Sequence, residues 1–133
     1  MKTLADVEEC VPQTAAVEHA PPLSPDTSID LAHLARMTLG EASLEHEVLS
    51  LFDRQAVMLL ARMASEPPKV IAALAHTLIG SARGIGAWRV ADAAEAVERL
   101  AAQDAHDGLT GAIKRLASAV EEARAEIART LVA

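Results

Sequence analysis

Aromatic residues are almost missing from this chain. Phe52 and Trp88 make up the 2% present, and tyrosine is absent. A core drawn from this sequence is built of leucine, isoleucine, valine, alanine and some methionine, within an apolar content of 51%. Alanine-rich segments poor in β-branched residues favour closely packed helices over sheets. The one cysteine, Cys10, cannot form an internal disulfide and has no metal-ligand spacing around it, which leads us to expect a reducing, cytoplasmic setting. No run of about 18 apolar residues occurs, so no membrane span is expected. The start, Met1 to Asp6 followed by Glu8 and Glu9, lacks the apolar stretch of a secretory signal. Basic residues are outnumbered 12 to 19, and the net charge of −7 argues against a nucleic-acid backbone or an anionic membrane as the main partner.

Catalytic signatures are scarce too. None of the five histidines (His19, His33, His46, His76, His106) stands at zinc spacing from another ligand. Glu45-His46-Glu47 lacks a second histidine one turn on, so no metal site is expected. No strand or hairpin pattern appears, so Gly80, Gly84 and Gly86 belong to no strand-to-helix phosphate loop. Nothing supports a self-contained enzyme.

What is present is helical periodicity in a chain whose 133 residues suit one domain. Residues 1–27, with Pro12, Pro21, Pro22 and Pro25 among acidic and small polar residues, are expected to be a disordered tail. Residues 28–133 form the expected folded domain. Ser28 or Asp30 caps a short helix over Ile29–Met37 with Leu31, Leu34 and Ala35 inward, and Gly40 ends it. A second helix runs over Glu41–Ser65, with Leu44, Val48, Leu51, Phe52, Leu59 and Met63 as its stripe, and stops at Pro67-Pro68. The third covers Pro68–Ile85, with Gly84 and Gly86 as candidates for its end. The fourth covers Trp88–Gln103 and buries Val90, Ala93 or Ala94, Val97 and Leu100. After a turn over Asp104–Gly108, a fifth covers Leu109–Leu131 with Ile113, Leu116, Val120, Ala123 and Ile127 inward. The pattern predicts an all-α fold: an antiparallel up-down-up-down four-helix bundle with a short additional N-terminal helix. We expect a monomer, and the ends at Met1 and Ala133 lead us to expect a free-standing protein.

The third helix carries the feature that stands out. Its stripe is Leu74, Leu78, Ala82 and Ile85, and His76 lies roughly 200° from Leu74 at about 100° per residue. Gly80 follows His76 by one turn, although glycine inside a helix costs about 1 kcal/mol relative to alanine. Around His76 stand Ala72, Ala73, Ile79, Gly80 and Arg83, four of them small or apolar. An outward imidazole among small neighbours predicts a docking surface at which another molecule comes close.

His76-Thr77-Leu78-Ile79-Gly80-Ser81-Ala82, with Gly86 ten residues after the histidine, resembles the motif of the histidine-containing phosphotransfer (HPt) domain. That family carries His-x-x-Lys-Gly-[Ser/Ala]-[Ala/Ser] and a later glycine. Leu51-Phe52 and Leu59 also look like its second helix, and the resemblance spans Ile29 to Leu131. It implies that His76 is a phosphoryl acceptor, with Ala72, Ala73, Ile79, Gly80 and Arg83 as partner-docking residues. It also implies response-regulator receiver domains as partners, with a hybrid histidine kinase as a further one. The chain would need no cofactor, since Mg²⁺ is expected on the receiver. Ile79 departs from the pattern by replacing the lysine, and Arg83, two turns from His76, is the candidate substitute cation. Two other readings stay open: an HPt-like protein that docks without transferring, and a structural bundle.

Overall fold

A computed structural model describes residues 28–132. The expected tail, with Cys10 and His19, lies outside them. The described residues form five helices and no strand: α1 Leu31–Met37, α2 Ala42–Met63, α3 Pro68–Ile85, α4 Trp88–Ala102 and α5 His106–Val132. Helix α3 packs on α4, α4 on α5, and α2 on both α3 and α5, while α1 lies on α3.

Local chemistry sets the boundaries of α3. Pro68 occupies its first turn, where a missing N–H costs nothing. Gly86 closes it in the left-handed conformation at φ 82°, and the Ala87 N–H reaches back to the Ala82 carbonyl at 2.8 Å. Helix α1 begins at Asp30, whose Oδ1 accepts the His33 backbone N–H at 3.1 Å. Ile29, expected inside that helix, lies before it and is buried. The expected turn after α4 is recovered as a break at Asp107 and Gly108 near the start of α5.

The N-terminal stretch is strapped over the α3–α4 turn. The Asp30 backbone N–H donates to the Gly86 carbonyl at 2.9 Å, and its Oδ2 accepts the Trp88 indole N–H at 3.0 Å. The Ser28 and Ile29 N–H groups donate to Glu126 of α5. A Cβ on Gly86 would fall 2.9 Å from both Cβ and the carbonyl oxygen of Asp30. Glycine is therefore required there by both conformation and close approach.

Several expected core positions shift. Leu51 is 57% exposed, and Leu49 with Ala56 joins Phe52, Leu59 and Met63 in the buried stripe of α2. The reason is angular, since Leu51 stands about 100° from Phe52 whereas Ala56, Leu59 and Met63 stay within about 40° of it. Leu44, Val48, Leu100 and Ile113 are only partly buried, and Leu31 is exposed. On α4 it is Ala94 rather than Ala93 that is fully buried, together with Ala91 and Ala101. On α5, Leu109 and Ala112 lead into Leu116, Val120, Ala123 and Ile127.

Candidate functional site

Helix α3 buries Ile71, Leu74, Ala75, Leu78, Ile79, Ala82 and Ile85. Projected at 100° per residue, these fill an arc of about 140° rather than a narrow stripe. Contact with both α2 and α4 explains the width. The remaining arc carries His76, Lys69, Ala73, Gly80 and Thr77, all exposed.

His76 is held on this arc with its side chain 75% exposed. Its Nδ1 lies 3.0 Å from Oε2 of Glu98 on α4. A glutamate carboxylate at neutral pH only accepts hydrogen bonds, so Nδ1 is the donor in this pair. In the neutral imidazole this places the ring proton on Nδ1 and the lone pair on Nε2. No partner within hydrogen-bond reach of Nε2 occurs among the described residues. Gly80 adds open space one turn on, because a Cβ there would meet nothing within 4 Å. The arrangement is an exposed imidazole, oriented through Nδ1 by Glu98, beside open space at Gly80.

The expected docking residues divide. Ala73 and Gly80 share the exposed face with His76, and Ala72 is partly buried beside them. Ile79 is corrected: it is 5% exposed and belongs to the core. It lies about 60° from His76 on the side toward the buried arc, which the wide packing of α3 covers. Arg83, the expected substitute cation, is engaged on α4. It forms an ion pair with Glu95 of α4, and its backbone carbonyl accepts from His33 Nε2 at 2.9 Å. Glu95 and Glu98 are the residues that sequence reasoning missed. They stand three apart on α4, a spacing that marks one helix face, but pairing them with α3 requires the register between the two helices.

Two described groups have clearly displaced titration: Arg124 of α5, raised by its bonds to Asp53 and Glu121, and Asp30 on the strap. Burial pushes the Asp30 carboxyl upward, but the Trp88 indole N–H and the His33 backbone N–H, with His33 and Arg36 acting in the same direction, more than offset this and leave it below the usual range. Among the described residues no cluster of three or more His, Cys, Asp or Glu side chains could hold a metal ion. No described helix is long and apolar enough to cross a membrane.

Comparison with known proteins identifies the family and the fold. The Hpt domain family model matches residues 41–128. The chain therefore belongs to the Hpt domain family, whose members are phosphocarrier modules that work with receivers and kinases in phosphorelays. The fold is similar to the X-ray structure of a rice protein that carries the provisional name of histidine-containing phosphotransfer protein. The two share 19% identity at a TM-score of 0.69, over 78% of this chain and 79% of the other. No curated protein sequence matches the chain.

Proposed function

We propose that this protein relays a phosphoryl group between aspartates of response-regulator receiver domains through a phosphohistidine at His76. The observation that carries the reading is the His76–Glu98 pair on an open helix face. With the proton held on Nδ1, the Nε2 lone pair attacks the phosphorus of a receiver's aspartyl phosphate. The P–O bond breaks, and its electron pair returns to the aspartate carboxylate. The ring keeps its Nδ1–H, and Glu98 faces the positive charge that develops there. In the reverse step a carboxylate oxygen attacks, the P–N bond breaks, and the electron pair returns to Nε2. No proton has to leave or enter the histidine in either direction.

The chain supplies a nucleophile and a docking face. The electrostatic stabilisation that dominates phosphoryl transfer, including Mg²⁺, comes from the receiver, and the chain acts as a carrier without turnover of its own. We further infer that α2 to α5 run as an up-down bundle with α1 appended. The two-residue link between α3 and α4 and the Arg124–Asp53 ion pair between α5 and α2, at 2.7 Å, support that arrangement.

Incubating the protein with a receiver charged on its aspartate tests the reading. The expected product is an acid-labile, base-stable label that His76→Gln abolishes with helical content unchanged. Undiminished labelling of the variant would refute it. One observation favours a second reading, docking without transfer: Ile79 is buried and Arg83 is occupied by Glu95, so neither brings a cation to His76. Receiver binding with no label on the wild-type protein would establish that reading instead.

A further inference from the structure

The surface around His76 is lopsided. Its α4 flank carries Asp92, Glu95, Glu98 and Arg99, whereas its α2 flank carries exposed Leu51 and Met58. These two stand four and three residues from Gln55, which accepts the Ser81 hydroxyl of α3 at 2.7 Å. Toward α1 the strip runs into an apolar cavity of about 260 Å³, walled by Leu34, Met37, Leu44, Val48, Gly84 and Ile85. Met37, in that wall, is 58% exposed. The chain outside the described residues joins the domain close by. The Asp30 N–H is bonded to the Gly86 carbonyl at 2.9 Å, and Gly84 and Ile85, just before Gly86, belong to the cavity wall. Residues 1–27 therefore start only a few residues from the cavity.

The far end of that segment has the pattern of a short amphipathic helix. Leu4, Val7 and Val11 fall at i, i+3 and i+7, within an arc of about 60°. Thr3 and Asp6 have the spacing of a capping box, and Pro12 stops the run. Asp6 and Glu9 fall on the opposite side, and Glu8 lies at the edge of the apolar stripe. A helix this short is marginal alone in water, so it forms only where its apolar face finds cover. The charges match as well. Residues 1–27 hold five acidic residues against one lysine. Arg54 stands three residues after Leu51 and four before Met58, is exposed, and forms no ion pair among the described residues.

We propose that residues 3–11 fold back as a helix onto this strip and hinder access to His76, with Leu4, Val7 and Val11 against the cavity and Leu51, and Glu8 toward Arg54. Residues 12–27 link the two and span up to roughly 50 Å when extended, far more than the path requires. A flexible tether of this kind gives an effective concentration of order mM. A contact too weak to hold two separate molecules is therefore occupied within one chain. Hindrance follows from size, and this part rests on the phosphotransfer reading above. A protein interface covers roughly 600–800 Å² on each partner, a disc of about 14–16 Å radius. Gly84 lies two turns from His76, about 12 Å along α3. A receiver centred on His76 must displace the segment before it can seat.

Cys10 is the one cysteine of the full chain, and at 100° per residue it falls off the apolar stripe. A nitroxide attached there reports the contact with no substitution in the folded domain. The expected result is strong broadening of the amide signals of Met37, Val48, Leu51 and Met58, little at Lys114 of α5, and loss of the pattern in the double variant Leu4→Asp, Val7→Asp. Uniform broadening, or none, overturns the contact. Broadening of an isotope-labelled chain by a nitroxide on an unlabelled one overturns it too, and assigns the strip to a second copy. Transfer from a receiver phosphorylated on its aspartate, measured over a range of receiver concentration, tests the hindrance. Removing residues 1–11, or the same double variant, should lower the half-saturating receiver concentration by at least about threefold and leave the saturating rate unchanged. An unchanged half-saturating concentration overturns the hindrance. If no form of the chain takes label from the receiver or from phosphoramidate, a small phosphoryl donor, the phosphotransfer reading fails and the hindrance with it, and the broadening pattern alone decides the contact.

Discussion

Two glycines ten and four residues after the same histidine should respond to alanine with opposite signs. Gly86 sits at φ 82°, where a β-carbon costs about 1–2 kcal/mol. Its Cβ would also fall 2.9 Å from the Asp30 carbonyl oxygen and 3.2 Å from the Asp30 nitrogen. The strap must then move, and the 2.9 Å bond from Asp30 N–H to the Gly86 carbonyl is lost, which costs about 1 kcal/mol more. Gly86→Ala should therefore destabilise by roughly 2–3 kcal/mol, a large share of the 5–15 kcal/mol typical of a domain. The melting temperature should fall by roughly 10–20 °C. Gly80 is ordinary helix with nothing within 4 Å of an added Cβ. Gly80→Ala should stabilise by up to about 1 kcal/mol, and yet slow phosphoryl transfer by narrowing the gap beside His76. Urea unfolding followed by far-ultraviolet circular dichroism, with a common m-value, measures both. A Gly86→Ala protein within about 0.5 kcal/mol of wild type would refute the close approach of the strap. A destabilised Gly80→Ala protein would refute the open face.

Glu98→Ala should slow acceptance of the phosphoryl group roughly fivefold. That corresponds to about 1 kcal/mol for a partly solvated hydrogen bond that orients the ring. Single-turnover labelling checks it, and an unchanged rate would remove Glu98 from the mechanism. Asp30 gives a pH signature. Its carboxyl is held low in the folded state, so its contribution is present above the unfolded value of about 3.9 and is lost as pH falls through the folded one. The stability gap between wild type and Asp30→Asn should be widest near pH 7 and close below about pH 4. A gap constant from pH 7 to pH 3 in urea titrations would contradict this.

Much of α3 was legible because its signals are local. Pro67-Pro68 and Gly86 mark its ends by backbone conformation alone, and the outward placement of His76 follows from helical period. Helix α2 was less legible because Leu49, Leu51, Phe52, Val57, Met58, Leu59 and Leu60 put apolar residues on several faces. Which of them are buried depends on where α3 and α5 press, and Leu51 lost that contest to Leu49. Ile79 failed for a related reason, since two neighbours widen the buried arc of α3. Glu98 could not be paired with His76 by any rule of spacing within one helix, because their meeting depends on how α3 and α4 slide past each other. Arg83 has the right angular position on α3, and only the neighbouring Glu95 shows that it is already engaged.

His76 is the ninth of the eighteen residues of α3. The middle of a packed helix is neither a hinge nor an end that frays, so the nucleophile cannot travel on an arm from one partner to the next. On the proposed relay, a phosphoryl group at His76 would move only with the helix bundle that holds it. Each handover would then be a docking event between that bundle and a receiver, with about 10⁵–10⁷ M⁻¹ s⁻¹ the typical range for two proteins that dock specific patches. Receivers would compete for one face, so their relative concentrations would set the traffic through it.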